Sequence, residues 1–173
     1  MRKIVIVVIG LVLFGCKSKQ TLQEDKKLAR YEIDFSLNSW HKAAAEANFN
    51  NYFNAMTEDA IYIGTDPTEN WNKEEFIKFA KPYFDRGRAW NFTALERNVY
   101  FSSDMKTVWF DELLNTQMKI CRGSGVLVLD EKGNWKIKHY VLSMTIPNDN
   151  TDEVVKIKSL IEDKEIEKLK KGE

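Results

Sequence analysis

The sequence predicts an α+β domain with helices packed against one face of an antiparallel sheet. Three observations carry that prediction. Apolar residues in the first part of the chain recur at helical spacing: Ile33, Leu37, Trp40, Ala44 and Ala47 step by four, three, four and three. From Ala89 onward the pattern changes to long β-type runs rich in Val, Ile, Phe, Tyr and Trp. Short turn-forming clusters separate those runs, so successive strands are hairpin-linked rather than joined by crossover helices.

Each element follows from its local pattern. Asp34, Asn38, Lys42 and Glu46 lie mainly off the apolar stripe, which makes the first helix amphipathic. Phe49, Tyr52, Phe53 and Met56 predict a second, shorter helix, and residues 60–63 a short strand ended by Gly64. A loop with Pro67 follows. Asn72 then begins a helix-capping signal, with Glu75 three residues later. The helix it opens carries Phe76, Phe79, Ala80, Tyr83 and Phe84, and Pro82 inside it predicts a kink or an early stop. Residues 90–101, 107–116, 120–129 and 135–146 are four long strand candidates, with Gly133 as the positive-φ residue of a tight hairpin. From Thr151 the pattern is helical again, and its end is dominated by Lys and Glu.

Composition limits the function. The 173 residues are 43% apolar and 30% charged, enough apolar content for a folded core. A chain of this length buries roughly 70% of the surface it exposes when unfolded. Lys+Arg and Asp+Glu are equal at 26 each, so there is no basic excess of the kind that binds nucleic acid, and no nucleic-acid partner is expected.

The N-terminus predicts export. Arg2 and Lys3 precede an unbroken apolar-plus-Gly run over residues 4–14, which spans only about half of a ~30 Å hydrocarbon core. It ends Leu13-Phe14-Gly15-Cys16, which resembles a bacterial lipobox with Cys16 as the residue to be lipidated. The expected organisation is a signal peptide at 1–15, a lipidated polar tether at 16–30, the folded domain at 31–148 and a charged helical tail at 149–173. Lys17 is not an acidic retention signal, so the expected location is the periplasmic side of the outer membrane, with a lipid anchor. With Cys16 lipidated, Cys121 has no disulfide partner and reads as a small core residue.

Two stretches resemble a known family. Residues 40–49 (Trp-His-Lys-Ala-Ala-Ala-Glu-Ala-Asn-Phe) and 56–66 (Met-Thr-Glu-Asp-Ala-Ile-Tyr-Ile-Gly-Thr-Asp) resemble the opening of SnoaL-like domains. The runs 122–126 (Arg-Gly-Ser-Gly-Val) and 133–143 (Gly-Asn-Trp-Lys-Ile-Lys-His-Tyr-Val-Leu-Ser) resemble their close. These domains belong to the nuclear transport factor 2 and ketosteroid-isomerase-like group, and the resemblance spans residues 33–148. It implies a cystatin/NTF2-like cone: a curved antiparallel sheet of about four long strands and a short one, wrapped around the helices. It also implies an apolar pocket and usually a dimer. Members include isomerases, cyclases, dehydratases and pure binding or scaffold domains, so the resemblance leaves activity open.

The candidate site residues come from the strands and the aromatic supply. Glu112 and Arg122 lie about equally far from the turn between their strands, and a facing acid and guanidinium would pair, either structurally or as a polar anchor for a ligand. Asp111 alternates to the other face. His139 is flanked in period two by Ile137 and Val141, and reads either as a buried structural histidine or as a pocket acid/base. A three-residue turn closing on Gly133 sets His139 beside Gly125; one further bulge would bring Ser124 and Arg122 round to join it. Trp40, Tyr62, Trp71, Trp90 and Phe110 are candidates to line a pocket, or else plain core. His41, following Trp40, is expected on the exposed side of its helix. No metal centre and no cofactor are expected: the two histidines have no ligand spacing, and the Gly pair at 123 and 125 lacks the Lys and helix of a phosphate loop.

Three functions stay open on this reading. The cone binds a small, largely apolar molecule. Alternatively it catalyses isomerase-, cyclase- or dehydratase-type chemistry with Glu112 or His139 as base, or it is a protein-interaction module with a filled cone. Strand 107–116 carries apolar side chains on both faces (Val108, Phe110 and Leu114; Trp109 and Leu113), which predicts a homodimer through the outer face of the sheet.

Overall fold

The computed structural model describes residues 19–172; the expected signal peptide and Cys16 lie outside the described residues. The chain runs α1 (Lys19–Ala45), α2 (Phe49–Asn54), β1 (Met56–Ile63), β2 (Asn70–Asn72), α3 (Lys73–Asp85), β3 (Thr93–Phe101), β4 (Thr107–Thr116), β5 (Lys119–Leu129), β6 (Trp135–Met144), a single 3₁₀ turn (Asn148–Asn150) and α4 (Thr151–Lys171). Among the described residues no helix is long and apolar enough to cross a membrane.

The apolar stripe of α1 is its buried face: Ile33, Leu37, Trp40 and Ala44 are almost wholly shielded. The helix begins at Lys19, so residues 19–30, expected as a tether, are its first turns. It ends at Ala45; two residues on, Ala47 has a left-handed φ of 51°, and Asn48 N–H and Ala47 N–H close back onto the carbonyls of Ala43 and Ala44 at 2.7 and 3.1 Å. The Asn72 capping box forms in both directions, with Glu75 N–H donating to Asn72 and Asn72 N–H to Glu75. Pro82 does not stop α3, which continues to Asp85.

The strands form one six-stranded sheet in the order β2-β1-β6-β5-β4-β3. Two features differ from the expected antiparallel sheet. Residues 70–72 form a short strand where a loop is expected, and β1 runs parallel to β6. The parallel pair is allowed because a long stretch of chain, α3 and four strands, connects the two. Irregularities at residues 57–60 of β1, at Leu95 of β3 and at Lys138 of β6 bend the sheet around α1. Its concave face holds Val108, Phe110, Leu114, Cys121, Leu127, Ile137, Tyr140 and Leu142, all buried against the helices.

The Lys138 bulge decides which residues of β6 look inward. Before it, Trp135 and Ile137 are buried; after it, Tyr140 and Leu142 are, while His139 and Val141 are half-buried on the convex side. The convex face is left largely open. Tyr100 and Trp109 stack there at 6.1 Å, each nearly half exposed, in register with Val126, His139 and Ile61. Helix α4 buries none of its side chains, and Ile157, Leu160 and Ile161 are more than two-thirds exposed.

Candidate functional site: an ionic floor and an aromatic mouth

Glu112 is the organising residue of the cone interior. It sits in register with inward-facing Phe110 and Leu114 on β4, and its side chain has no solvent exposure. Both carboxylate oxygens are fully engaged. Oε1 accepts from His41 Nε2 at 2.8 Å and from the Tyr140 hydroxyl at 3.1 Å. Oε2 accepts from Arg97 Nε at 2.9 Å and from the other arm of the same guanidinium at 2.7 Å. Since the carboxylate only accepts, the His41 proton in this contact sits on Nε2.

The network continues outward to α1. Arg97 donates to Asp34 Oδ1 at 3.1 Å and to Asn38 Oδ1 at 3.1 Å, and Arg30 donates to Asp34 Oδ2 at 2.8 Å and to the Arg97 carbonyl at 2.6 Å. Burial pushes the Glu112 carboxyl toward its neutral form. The hydrogen bond from His41 and the charges of His41 and Arg97 outweigh that effect and hold it below the usual carboxylate range. The opposite holds for Tyr140, whose phenol is pushed well up, first by burial and then by the Glu112 charge. Glu112 is therefore an ionised, four-fold bonded anchor. A carboxylate in that state is a weak proton acceptor.

Two expectations about this region are corrected. His41 is buried, 3% exposed, and bonded to Glu112 rather than lying on the outer side of α1. Glu112 does not pair with Arg122: the two-residue turn between β4 and β5 sets Glu112 opposite Gly123 and Leu113 opposite Arg122. One residue of offset moves a side chain to the other face, so Arg122 is exposed on the convex side. Ser124 and His139 share that face, as the extra bulge allows, and it is the face away from the cone. Asp111 also lies there, accepting from Asn98 Nδ2 at 3.2 Å.

Above the floor the cone is filled with rings. Trp40 stacks on Tyr52 at 4.9 Å and meets Tyr140 edge-on at 4.8 Å, and Phe110 packs 6.1 Å from Tyr140. Trp40 and Phe110 are thus core. At the open end a cavity of about 180 Å³ remains, lined by Tyr62, Trp71, Phe76, Phe79, Trp90 and Phe92. Several of these rings lie near-parallel: Tyr62 on Phe76 at 3.9 Å and 13°, Trp71 on Phe76 at 5.8 Å and 12°, and Trp71 on Phe79 at 4.4 Å and 25°. Phe92 also meets the His41 ring edge-on at 6.0 Å, so it borders both the mouth and a member of the Glu112 network. The polar groups of the rim include Glu69 and Gln117; Glu112, Arg122 and His139 are not among the lining residues. A larger hollow of about 770 Å³ lies on the outside, between α4 and the sheet edge near Ile63 and Val141. Among the described residues no group of three or more His, Cys, Asp or Glu is arranged to hold a metal ion.

Sequence reasoning missed Arg97, Asp34 and Asn38 as network members. The signal was present: Arg30, Asp34, Asn38 and His41 fall on one flank of α1 beside the apolar stripe. Arg97 likewise shares period-two spacing with inward-facing Val99 and Phe101.

A mixed sheet curled around a long N-terminal helix, with an aromatic mouth at one end, defines an NTF2-like cone. The family described as SnoaL-like domain matches residues 33–147, and the chain belongs to it. A comparison with curated proteins finds no match. Among solved structures, the chain is similar to an NTF2-like protein of unknown function from Pseudomonas putida, with 11% identity over 72% of this chain and 92% of that one and a TM-score of 0.60. A protein provisionally assigned as a scytalone dehydratase from Novosphingobium aromaticivorans gives 11% identity, 72% and 89% coverage and a TM-score of 0.60. The association domain of C. elegans CaMKII gives 17% identity, 70% and 99% coverage and a TM-score of 0.57. At such identities these likenesses speak for the fold alone.

Proposed function

We propose that this chain is an envelope lipoprotein whose SnoaL-like domain binds a small, largely apolar molecule at the mouth of the cone. The observation that carries this reading is the separation of two sites: an aromatic cavity at the mouth, and a carboxylate shut away beneath it with every oxygen engaged. Isomerase-, cyclase- or dehydratase-type chemistry needs a base in reach of the bound molecule. Glu112 is unexposed, held by four hydrogen bonds and absent from the cavity lining, and His139 faces away from the cone, which favours binding over catalysis. A cavity of this size suits a single ring or a short branched chain, on the scale of the ~150 Å³ engineered cavity that takes up benzene.

Two further parts of the reading rest on other features. The lipobox at Cys16 supports anchoring on the periplasmic side of the outer membrane, and Cys16→Ala is expected to give an unprocessed or soluble species. The exposed Tyr100–Trp109 pair supports a homodimer through the convex face. The test of the binding reading is native mass spectrometry of the protein purified from its own envelope. A co-purified small molecule is expected that is lost in Trp71→Ala or Trp90→Ala and kept in Arg122→Ala and His139→Ala. Retention in the first pair, or loss in the second, contradicts the reading.

A further inference from the structure

Glu69 is the one formally charged side chain among the described residues that line the mouth; no Lys, Arg or His borders the cavity. Two contacts place it. Oε2 accepts the Asp66 backbone N–H at 3.1 Å, and the side chain lies against Gly64, where any Cβ would overlap the carboxylate. Its other oxygen accepts no hydrogen bond, and the carboxylate has no ion-pair partner, among the described residues. Its charge also reaches the neighbouring ring: after burial itself, Glu69 is the next cause that raises the Tyr62 phenol.

An uncompensated carboxylate on an aromatic wall sets the sign of the ligand. A neutral molecule filling the cavity strips water from the carboxylate and returns nothing, which is unfavourable. An anion is repelled. A cation gains the carboxylate and, at the same time, the electron-rich rings around it. The cavity volume holds the cation to a compact body. Resting on the mouth-binding reading above, we propose that the mouth binds a small organic cation, an amine or quaternary ammonium on a compact apolar body, with Glu69 as counter-ion.

The test compares two probes of similar bulk, tetramethylammonium and neutral tert-butyl alcohol. Each is titrated into the purified full-length chain at fixed ionic strength, and binding is followed at the Trp71 and Trp90 indole N–H resonances. The cation is expected to bind at least about tenfold more tightly. Glu69→Gln is expected to abolish that preference while leaving the alcohol unchanged. Gly64→Ala, which displaces the carboxylate without removing it, is expected to weaken the cation alone, and near-UV circular dichroism checks that both variants remain folded. Equal binding of the two probes, or a preference that survives Glu69→Gln, overturns the cation and leaves the mouth site standing. The cation also fails if neither probe binds while benzyl alcohol does. If none of the three binds, the mouth reading fails with it.

Discussion

The Glu112 carboxylate on β4 and the Tyr140 hydroxyl on β6 meet at 3.1 Å across a strand that stands between them. They can do so because β5 offers Gly123 at the crossing point. A Cβ there would collide with the Tyr140 hydroxyl and crowd Glu112 Cγ. Gly125, one step along, is held to glycine in the same way by the His139 carbonyl and the Phe110 ring. The Gly-Ser-Gly run is therefore a gap in the concave face, cut to let two side chains hydrogen-bond over a strand.

Gly123→Ala is expected to lower stability by about 1–3 kcal/mol, the usual cost of overpacking a filled interior. Urea denaturation measures it. An unchanged midpoint would show that the crossing has room to spare.

The pH dependence follows from the depressed carboxyl of Glu112. A group whose folded pKa lies below its unfolded value of ~4.3 stabilises the fold above that value. That contribution is lost as pH falls through the folded pKa, so wild type is expected to lose stability below about pH 4. Glu112→Gln is expected to cost about 3–5 kcal/mol at neutral pH, as for breaking a buried pair, and to flatten the acid limb. On the alkaline side Tyr140 and Tyr62 act in reverse. Their raised phenols give stability that is complete below pH ~10 and is lost as pH rises toward their folded values. Urea midpoints from pH 3 to 11 test both limbs.

Much of this architecture was legible from residue spacing. The buried stripe of α1, the capping box at Asn72, and strands 107–116 and 120–129 follow from period and turn chemistry alone. The site was less so, for two physical reasons. Face assignment on a strand reverses with one residue, so the two-residue turn after Thr116 separated Glu112 from Arg122, and the bulge at Lys138 exchanged His139 for Tyr140. Charged residues beside an apolar helical stripe also look like a solvated flank. Only the arrival of Arg97 and Glu112 from the sheet makes Asp34, Asn38 and His41 part of a network.

Ala47→Gly is expected to stabilise the domain by about 0.5–1 kcal/mol. Ala47 holds a left-handed backbone at the end of α1, a conformation that costs residues with a Cβ and suits glycine. A fall in the urea midpoint would show that the Ala47 methyl contributes more in packing than its backbone costs.

If the convex face forms the proposed homodimer, Trp109→Lys is expected to give a folded monomer, because the indole is half exposed and stacks only on Tyr100 among the described rings. Sedimentation velocity of wild type and variant decides this. A wild-type monomer at micromolar concentration contradicts the dimer.

On the binding reading proposed above, the cone is closed below at Glu112 and takes its ligand at the mouth. The five indole N–H resonances report on it directly, because the tryptophans divide among three environments: Trp71 and Trp90 at the mouth, Trp40 and Trp135 in the core, and Trp109 on the convex face. Titration with benzyl alcohol and with tetramethylammonium is expected to shift Trp71 and Trp90 and to leave the other three in place. Movement of Trp40 would mean that ligand reaches the buried core of the cone, and movement of Trp109 alone would put the site on the outer face; either result contradicts binding at the mouth.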